Sequence, residues 1–481
     1  MKRAFASNLV LLLGINFLIK PLYIFGIDRE VQNAVGPEQY GLFFALLNLT
    51  YLFQIVNDFG LQSFNNRELS HKPEKFPVQF SSLLAVKFGL SLAFLLILTG
   101  AAALTGYLSR QPEWLLGIAA NQVLLSLLLF LRSNLAGLGM YRADSLLSSF
   151  DKLVMIFLVG FFLLNNPESI SIPLFIVCQT GSYLLAIGAA VAVLRPRLRE
   201  IVFRVRMPMV RWTLRSSAPF ALVMFLMYVY TYIDGVMIER LHSDGAYEAG
   251  IYASGYRLLD AIGIIGYLFA GLLLPMLSRQ LGSGHSVRPL LDMGAGTLWS
   301  VAVGVSIVTF FFSTHLSEWL YLAANNSWGQ VLGRLMLSFL PWSLTYIYGT
   351  LLTAAGQLAA MNRLFVGCIL LNVLANLLVI PKYGAAGAAL TTLATQTLAA
   401  VGQYILAVRK FAELRASTFP VKGVVLLLLV FFSTWILSTF DALPWMLRMC
   451  LALGISGFLS ILLKMISIKE WIHLLSTQHK E

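Results

Sequence analysis

The sequence predicts an all-α polytopic membrane protein of about fourteen transmembrane helices with both termini on the cytoplasmic side. Composition is the first reason: of 481 residues, 58% are hydrophobic and only 12% charged, where a soluble domain carries roughly 25% charged residues. Spacing is the second, because apolar stretches of the ~20 residues that cross a bilayer follow one another with short connections. Charge is the third. Lysine and arginine collect on alternate connections, as the positive-inside preference requires.

The expected spans lie at 8–27, 40–63, 79–106, 113–135, 146–165, 172–194, 213–238, 249–275, 293–315, 331–354, 363–381, 384–408, 421–439 and 445–464. The first follows Met1-Lys2-Arg3 and looks like a signal peptide in charge and hydrophobicity. No small-residue cleavage site follows, however, and Lys20-Pro21 leads into a further apolar run, so it is read as an uncleaved helix. With the N-terminus inside, the inner segments hold 25 of the 34 lysines and arginines, and the outer ones only Arg29, Arg110, Arg240 and Lys382. A miscounted helix would scramble that asymmetry. The net charge of +12 is therefore read as a topology signal and not as a nucleic-acid surface.

The densest basic stretch, Arg195 to Arg215, follows the sixth span and divides the chain. It gives an N-lobe at 1–194 (helices one to six), a basic cytoplasmic linker at 195–212 and a C-lobe at 213–408 (helices seven to twelve). Helices thirteen and fourteen lie at 409–464, and a cytoplasmic interfacial tail at 465–481. In that tail Ile466 to Leu475, with Trp471, read as a short helix on the inner leaflet. Glu38-Gln39-Tyr40-Gly41-Leu42-Phe43 opens the second span and Glu248-Ala249-Gly250-Ile251-Tyr252 the eighth, six helices later. Parallel repeats of this kind are a transporter signature, and they make the two six-helix lobes pseudo-symmetric.

Several chemistries are excluded. There is no G-x-x-x-x-G-K-[ST], Gly282-Ser283-Gly284 lacks the third glycine of a dinucleotide fingerprint, and no D-x-D pair occurs, so no ATP or NAD site is expected. Cys178, Cys368 and Cys450 fall inside apolar spans without C-x-x-C spacing and read as small core hydrophobes. The six histidines have no ligand spacing, so no cofactor and no metal other than a coupling ion is expected. With no polar stretch long enough for a catalytic domain, the chain reads as a transporter and not an enzyme.

The informative residues are the charges inside spans: Lys20, Asp58, Asp234, Arg257 and Asp260. Each costs ~3 kcal/mol near the bilayer centre unless paired or hydrated, so they must face a bundle interior or a wet cavity. Lys20 precedes Pro21, where a freed backbone can bend and line a cavity; it is read as an anion ligand, or else as a lysine snorkelling outward. Arg29 extends the same basic path, or is an exposed loop residue. Arg257 and Asp260 lie one turn apart on the eighth span. They form either a self-neutralising pair or a guanidinium, suited to an anionic diphosphate, held in place by its carboxylate. Asp234 lies in the seventh span as a partner for Arg257, a proton carrier or a cation ligand. Asn372 and Asn376 on helix eleven and Thr391 and Thr395 on helix twelve, each pair at i, i+4, would add neutral oxygens suited to a monovalent cation, or simply bond between helices. Asp58 and Lys87 are expected to pair at the cytoplasmic interface.

Taken together, several segments resemble the polysaccharide transporter family (Wzx-like oligosaccharide and O-antigen flippases) of the MOP superfamily. They are Lys20-Pro21-Leu22-Tyr23 with Val31-Gln32-Asn33, Gly36-Pro37-Glu38-Gln39-Tyr40-Gly41-Leu42, and Asn57-Asp58-Phe59-Gly60-Leu61. Later come Tyr232-Ile233-Asp234, Ala249-Gly250-Ile251-Tyr252-Ala253, Leu274-Pro275-Met276-Leu277-Ser278 and Tyr383-Gly384-Ala385-Ala386-Gly387. The resemblance implies two lobes around a central cationic cavity, to which Lys20 and Arg257 would belong. It also implies alternating access that flips an undecaprenyl-diphosphate-linked oligosaccharide across the bacterial inner membrane for O-antigen, capsule or exopolysaccharide assembly. In the similar lipid II flippases helices seven, eleven and twelve form a sodium site; the matching residues here are Asp234, Asn372, Asn376 and Thr395, with Asn376 standing where a second acidic ligand is expected. Sodium and the proton both stay open as coupling ion. The expected partners are the lipid-linked oligosaccharide, membrane lipids and a polymerase of the same pathway, the working unit being a monomer. The alternative is a cation-coupled multidrug antiporter of the same superfamily, whose cationic substrates predict a carboxylate-dominated cavity and commonly twelve helices. A membrane-embedded polymerase would show a large outer loop, which this chain lacks.

Overall fold

The computed structural model describes residues 14–15, 18–199, 201 and 205–466. Most of the expected first span before Leu18, part of the basic linker, and the interfacial tail beyond Ile466 lie outside them. Every regular element among the described residues is helical. Among the described residues, ten helices are long and apolar enough to cross a membrane, or eleven when the bent pair Leu18–Leu52 and Gln54–Ser70 counts as one span. The number is smaller than the expected fourteen in part because it counts merged elements once. The spans expected at 363–381 and 384–408 lie within one element, Leu358–Lys410, broken where Gly384 takes φ 51° and ψ −135°. The Met207–Leu241 helix, the expected seventh span, holds an uncharged, mostly apolar stretch from Ser216 to Ile233, long enough to cross a bilayer.

The chain divides into two compact units, residues 1–250 and 251–481. In the first, helices Leu61–His71, Phe76–Leu104, Pro112–Gly137 and Ile172–Leu198 enclose a core that includes Phe64, Phe80, Phe130, Leu135 and Leu194. Met207–Leu241 belongs to this unit and runs along Arg29–Leu52. Tyr232 stacks on Tyr51 with ring centroids 4.4 Å apart, so the tyrosine run of this helix includes a packing contact. In the second unit, helices Arg288–Leu320, Asn326–Leu337, Phe339–Ala354 and Phe419–Ser438 surround Leu298, Ile307, Ile347, Leu351 and Leu426. Trp445–Leu462 closes the chain, and the buried Arg448 caps the turn before it by donating to Ser438 O at 2.9 Å and Asp441 Oδ1 at 3.0 Å. Cys178 and Cys368 are buried as expected of core residues, whereas Cys450 is exposed on its helix.

Breaks inside apolar helices strand backbone groups that lipid cannot satisfy. One break has a side chain bonded beside it. Arg334, embedded in Asn326–Leu337, donates from Nη1 to Ala386 O at 3.0 Å, two residues past the Gly384 break.

The two similar sequence segments meet. A break at Gly36-Pro37 lets Arg29–Leu52 restart at Glu38, and Gly245 opens the helix that carries Gly250. A β-carbon on Gly41 would collide with Ala246 O and Gly250 N; one on Gly250 would collide with Pro37 O. Each glycine thus receives the other helix's bare backbone, in the manner of small-residue helix crossings. Gln32 Nε2 adds a buried hydrogen bond to Gly250 O at 2.9 Å. Gly41→Ala and Gly250→Ala should each lower the apparent Tm of the detergent-solubilised protein, by the ~1–3 kcal/mol typical of overpacking. Gly89→Ala, with nothing within 4 Å of the added methyl, should not. Equal Tm values for all three would refute the backbone contact.

Candidate functional site

Lys20, Arg29 and Asp234 belong to the first unit. Lys20 is half-buried, and four residues on the helix widens into a π turn over Ile24–Asp28, a feature frequent at functional sites. Tyr23, in the same segment, receives Lys152 Nζ 5.1 Å from its ring centroid, and that ammonium is ion-paired with Asp151 at 3.0 Å. Arg29 is ion-paired with its neighbour Glu30, and the buried Asp28 accepts from Tyr40 Oη at 2.8 Å. Asp234 is buried at 3% exposure, next to Gly235, whose missing β-carbon makes room for the Asn48 amide and the Phe44 ring.

Arg257, Asp260, Asn372, Asn376, Thr391 and Thr395 belong to the second unit. Arg257 and Asp260 are half-buried on Gly245–Gly282, and one turn further Gly263 and Gly266 seat the rings of Trp342 and Tyr346. Those rings stack with centroids 5.7 Å apart. The amides and hydroxyls converge, all of them buried. Asn376 Nδ2 donates to Asn372 Oδ1 at 3.1 Å, and Asn372 Nδ2 to Thr395 Oγ1 at 3.5 Å. Thr391 and Thr395 donate to carbonyls one turn back, Gly387 O at 3.1 Å and Thr391 O at 2.9 Å. This is a set of neutral oxygens with helix-to-helix bonding. Among the described residues no group of three or more His, Cys, Asp or Glu is arranged to hold a metal ion.

Two further polar centres lie in the first unit. The first is Asp58 with Lys87, expected to pair at the cytoplasmic interface; both are about 1% exposed. Lys87 Nζ donates to Asn57 O at 2.6 Å and to Ser126 Oγ, while Ser91 Oγ and Asn57 Nδ2 extend the network to Asn57 Oδ1 at 2.9 Å and Gln122 O at 3.1 Å. Lys87 lies within electrostatic reach of Asp58, but the ammonium is anchored on Asn57 and Ser126, and neither Asp58 oxygen makes a well-formed hydrogen bond among the described residues. The chain turns sharply beside it, with Phe59 at φ 49° and Gly60 at φ 73°. A left-handed phenylalanine stores strain that only surrounding packing maintains. The motif Asn57-Asp58-Phe59-Gly60 was the available signal.

The second centre joins the 107–111 connection to the end of Met207–Leu241. Glu239, its side chain 1% exposed, accepts from Tyr107 Oη at 2.5 Å and pairs with Arg110 at 2.8 Å and Arg240 at 3.1 Å. The Arg240 guanidinium lies 3.6 Å from the Tyr107 ring centroid. Burial, then the Glu239 carboxylate, push the Tyr107 phenol well above its ordinary range. Above this network opens a cavity of about 800 Å³. Arg110 and Arg240 stood out only as rare outer cations, so the sequence offered no sign that one carboxylate gathers both.

Removing Lys87 would leave Asp58 without its nearby positive charge. Lys87→Met should destabilise by the ~3–5 kcal/mol of an orphaned buried charge. In a thermal double-mutant cycle, adding Asp58→Asn should recover ~1–3 kcal/mol; additive losses would show that the two groups do not interact.

Comparison with known proteins places this geometry. Residues 9–281 match the family described as "Polysaccharide biosynthesis protein". No curated protein matches the chain. Among solved structures, the lipid II flippase MurJ in an inward closed conformation is similar with TM-score 0.71 at 16% identity, over 96% of this chain and 100% of that one. An inward-facing multidrug resistance MATE family transporter of the MOP superfamily has TM-score 0.66 at 12% identity, covering 85% of this chain and 99% of that one. A mutant of the Vibrio cholerae MATE transporter VcmN has TM-score 0.59 at 15% identity, over 87% and 98%. These likenesses establish the fold alone, a multi-helix fold shared with these membrane proteins. With more than half of its length matched, the chain belongs to the polysaccharide biosynthesis protein family.

Proposed function

We propose that the protein is a flippase that carries an undecaprenyl-diphosphate-linked oligosaccharide across the bacterial inner membrane, by alternating access between an N-lobe at 1–194 and a C-lobe at 213–408. Membership of a polysaccharide biosynthesis family supports it, as does a fold shared with a protein named as a lipid II flippase. The observation that carries it is Arg257: a half-buried guanidinium inside an apolar helix, one turn from Asp260. A planar, permanently charged fork in a low-dielectric, wettable place is matched to a diphosphate and poorly matched to a lipophilic cation. Lys20, half-buried at the start of the chain, would add a second cation to the same cargo. The polyprenyl tail needs no site, since it can remain in lipid while the polar head crosses.

Loop charge supports inner connections that face the cytoplasm and an outer face at 107–111 and 239–248. No ATP site is required if an ion gradient drives the cycle. Asp234 is the candidate coupling carboxylate, with Asn372, Asn376, Thr391 and Thr395 as neutral oxygens for sodium, a proton being the other choice.

Arg257→Ala should abolish surface polysaccharide at an unchanged protein level in the membrane; intact polysaccharide would sink the diphosphate reading. Sodium coupling has its own check. Transport into vesicles should fall at least tenfold when sodium is replaced by potassium, and Asp234→Asn should remove that dependence; transport indifferent to both would exclude a sodium site.

A further inference from the structure

We infer that the cavity beside the Glu239 network is a binding site for the sugar portion of the cargo, a neutral oligosaccharide, on the face that loop charge turns outward. The site rests on the flippase reading for the origin of its ligand, but its geometry is independent of Lys20 and Arg257. Its volume, about 800 Å³, is within the ~300–1,000 Å³ of small-molecule sites. Its lining includes Glu38, Arg110, Trp114, Glu239, His242 and Asp244.

Three properties select the ligand class. Carboxylates (Glu38, Glu239, Asp244) and guanidiniums (Arg110, Arg240) share the wall, so no single-sign field attracts a diphosphate or a cation. They offer instead the mixture of acceptors and forked donors that a chain of hydroxyls can use. Trp114 and Tyr247 are among the lining residues, and an aromatic ring with polar neighbours accepts the apolar face of a pyranose while hydroxyls bond at its rim. The floor is also fixed in advance. Glu239 is held by Tyr107, Arg110 and Arg240, so little ordering remains when a ligand arrives. The location fits cargo release, because Glu38, Gln39 and Leu42 on one side and Gly245, Ala246 and Tyr247 on the other bracket the crossing of Gly41 with Gly250.

The test uses the full chain in lipid nanodiscs and saturation-transfer NMR with lipid-free, phosphate-free trisaccharides: maltotriose, chitotriose and mannotriose. At least one should bind with millimolar affinity. Trp114→Ala should weaken that binding at least tenfold, and so should the exposed double variant Gln39→Ala/Asp244→Ala, which guards against misfolding of the tryptophan variant. Arg257→Ala should leave it unchanged. No binding by any of the three, or binding that survives both wall variants, overturns the site. Sugar binding with intact surface polysaccharide in Arg257→Ala would instead overturn the diphosphate reading alone; polysaccharide lost in Arg257→Ala with no sugar binding would overturn the site alone.

Discussion

A polar group inside a bilayer has no water to fall back on, so the protein itself must complete every hydrogen bond that its sequence opens. Much of this fold is an answer to that demand. Gly384 breaks a long helix, and Arg334 reaches from another to take up a nearby carbonyl. Arg448 closes the last turn through Ser438 and Asp441. Lys87 is inserted among Asn57, Ser126 and Ser91. These cations are used up in construction. Lys20 and Arg257, proposed as cargo ligands, also have interactions within the protein.

This division separates what could be read in the sequence from what could not. Apolar length and loop charge are local quantities, so the membrane-spanning, all-helical architecture was legible residue by residue. So was the recurrence of Glu38 to Phe43 at Glu248 to Tyr252. The partners of a buried charge are not local. Lys87 finds Asn57 and Ser126 at separations of 30 and 39 residues, and Glu239 finds Tyr107 at 132. Spacing alone suggested that Asp58 and Lys87 would share an interface, because both lie near the inner ends of their spans. The structure adds that both are buried within the protein, beside the left-handed turn at Phe59 and Gly60. The neutral cluster of Asn372, Asn376 and Thr395 was foreseeable because i, i+4 spacing fixes one face of each helix.

The two ends of the proposed cargo ask for different chemistry, and two polar regions of the protein differ in kind. Arg257 with Asp260 is sparse, charged and set in an apolar helix. The outer cavity is dense, mixed in sign and braced by a buried carboxylate. A single site could not serve both ends, since a field strong enough to hold a diphosphate would do little to tell one uncharged sugar from another.

The crossing of Gly41 with Gly250 bears on how this sequence can change over time. Each glycine is the seat for the other's main chain, so a side chain gained at either position closes the space on both. The two segments constrain one another by touching. Neither glycine can gain a side chain unless the other's backbone moves away, so the two positions can change only together.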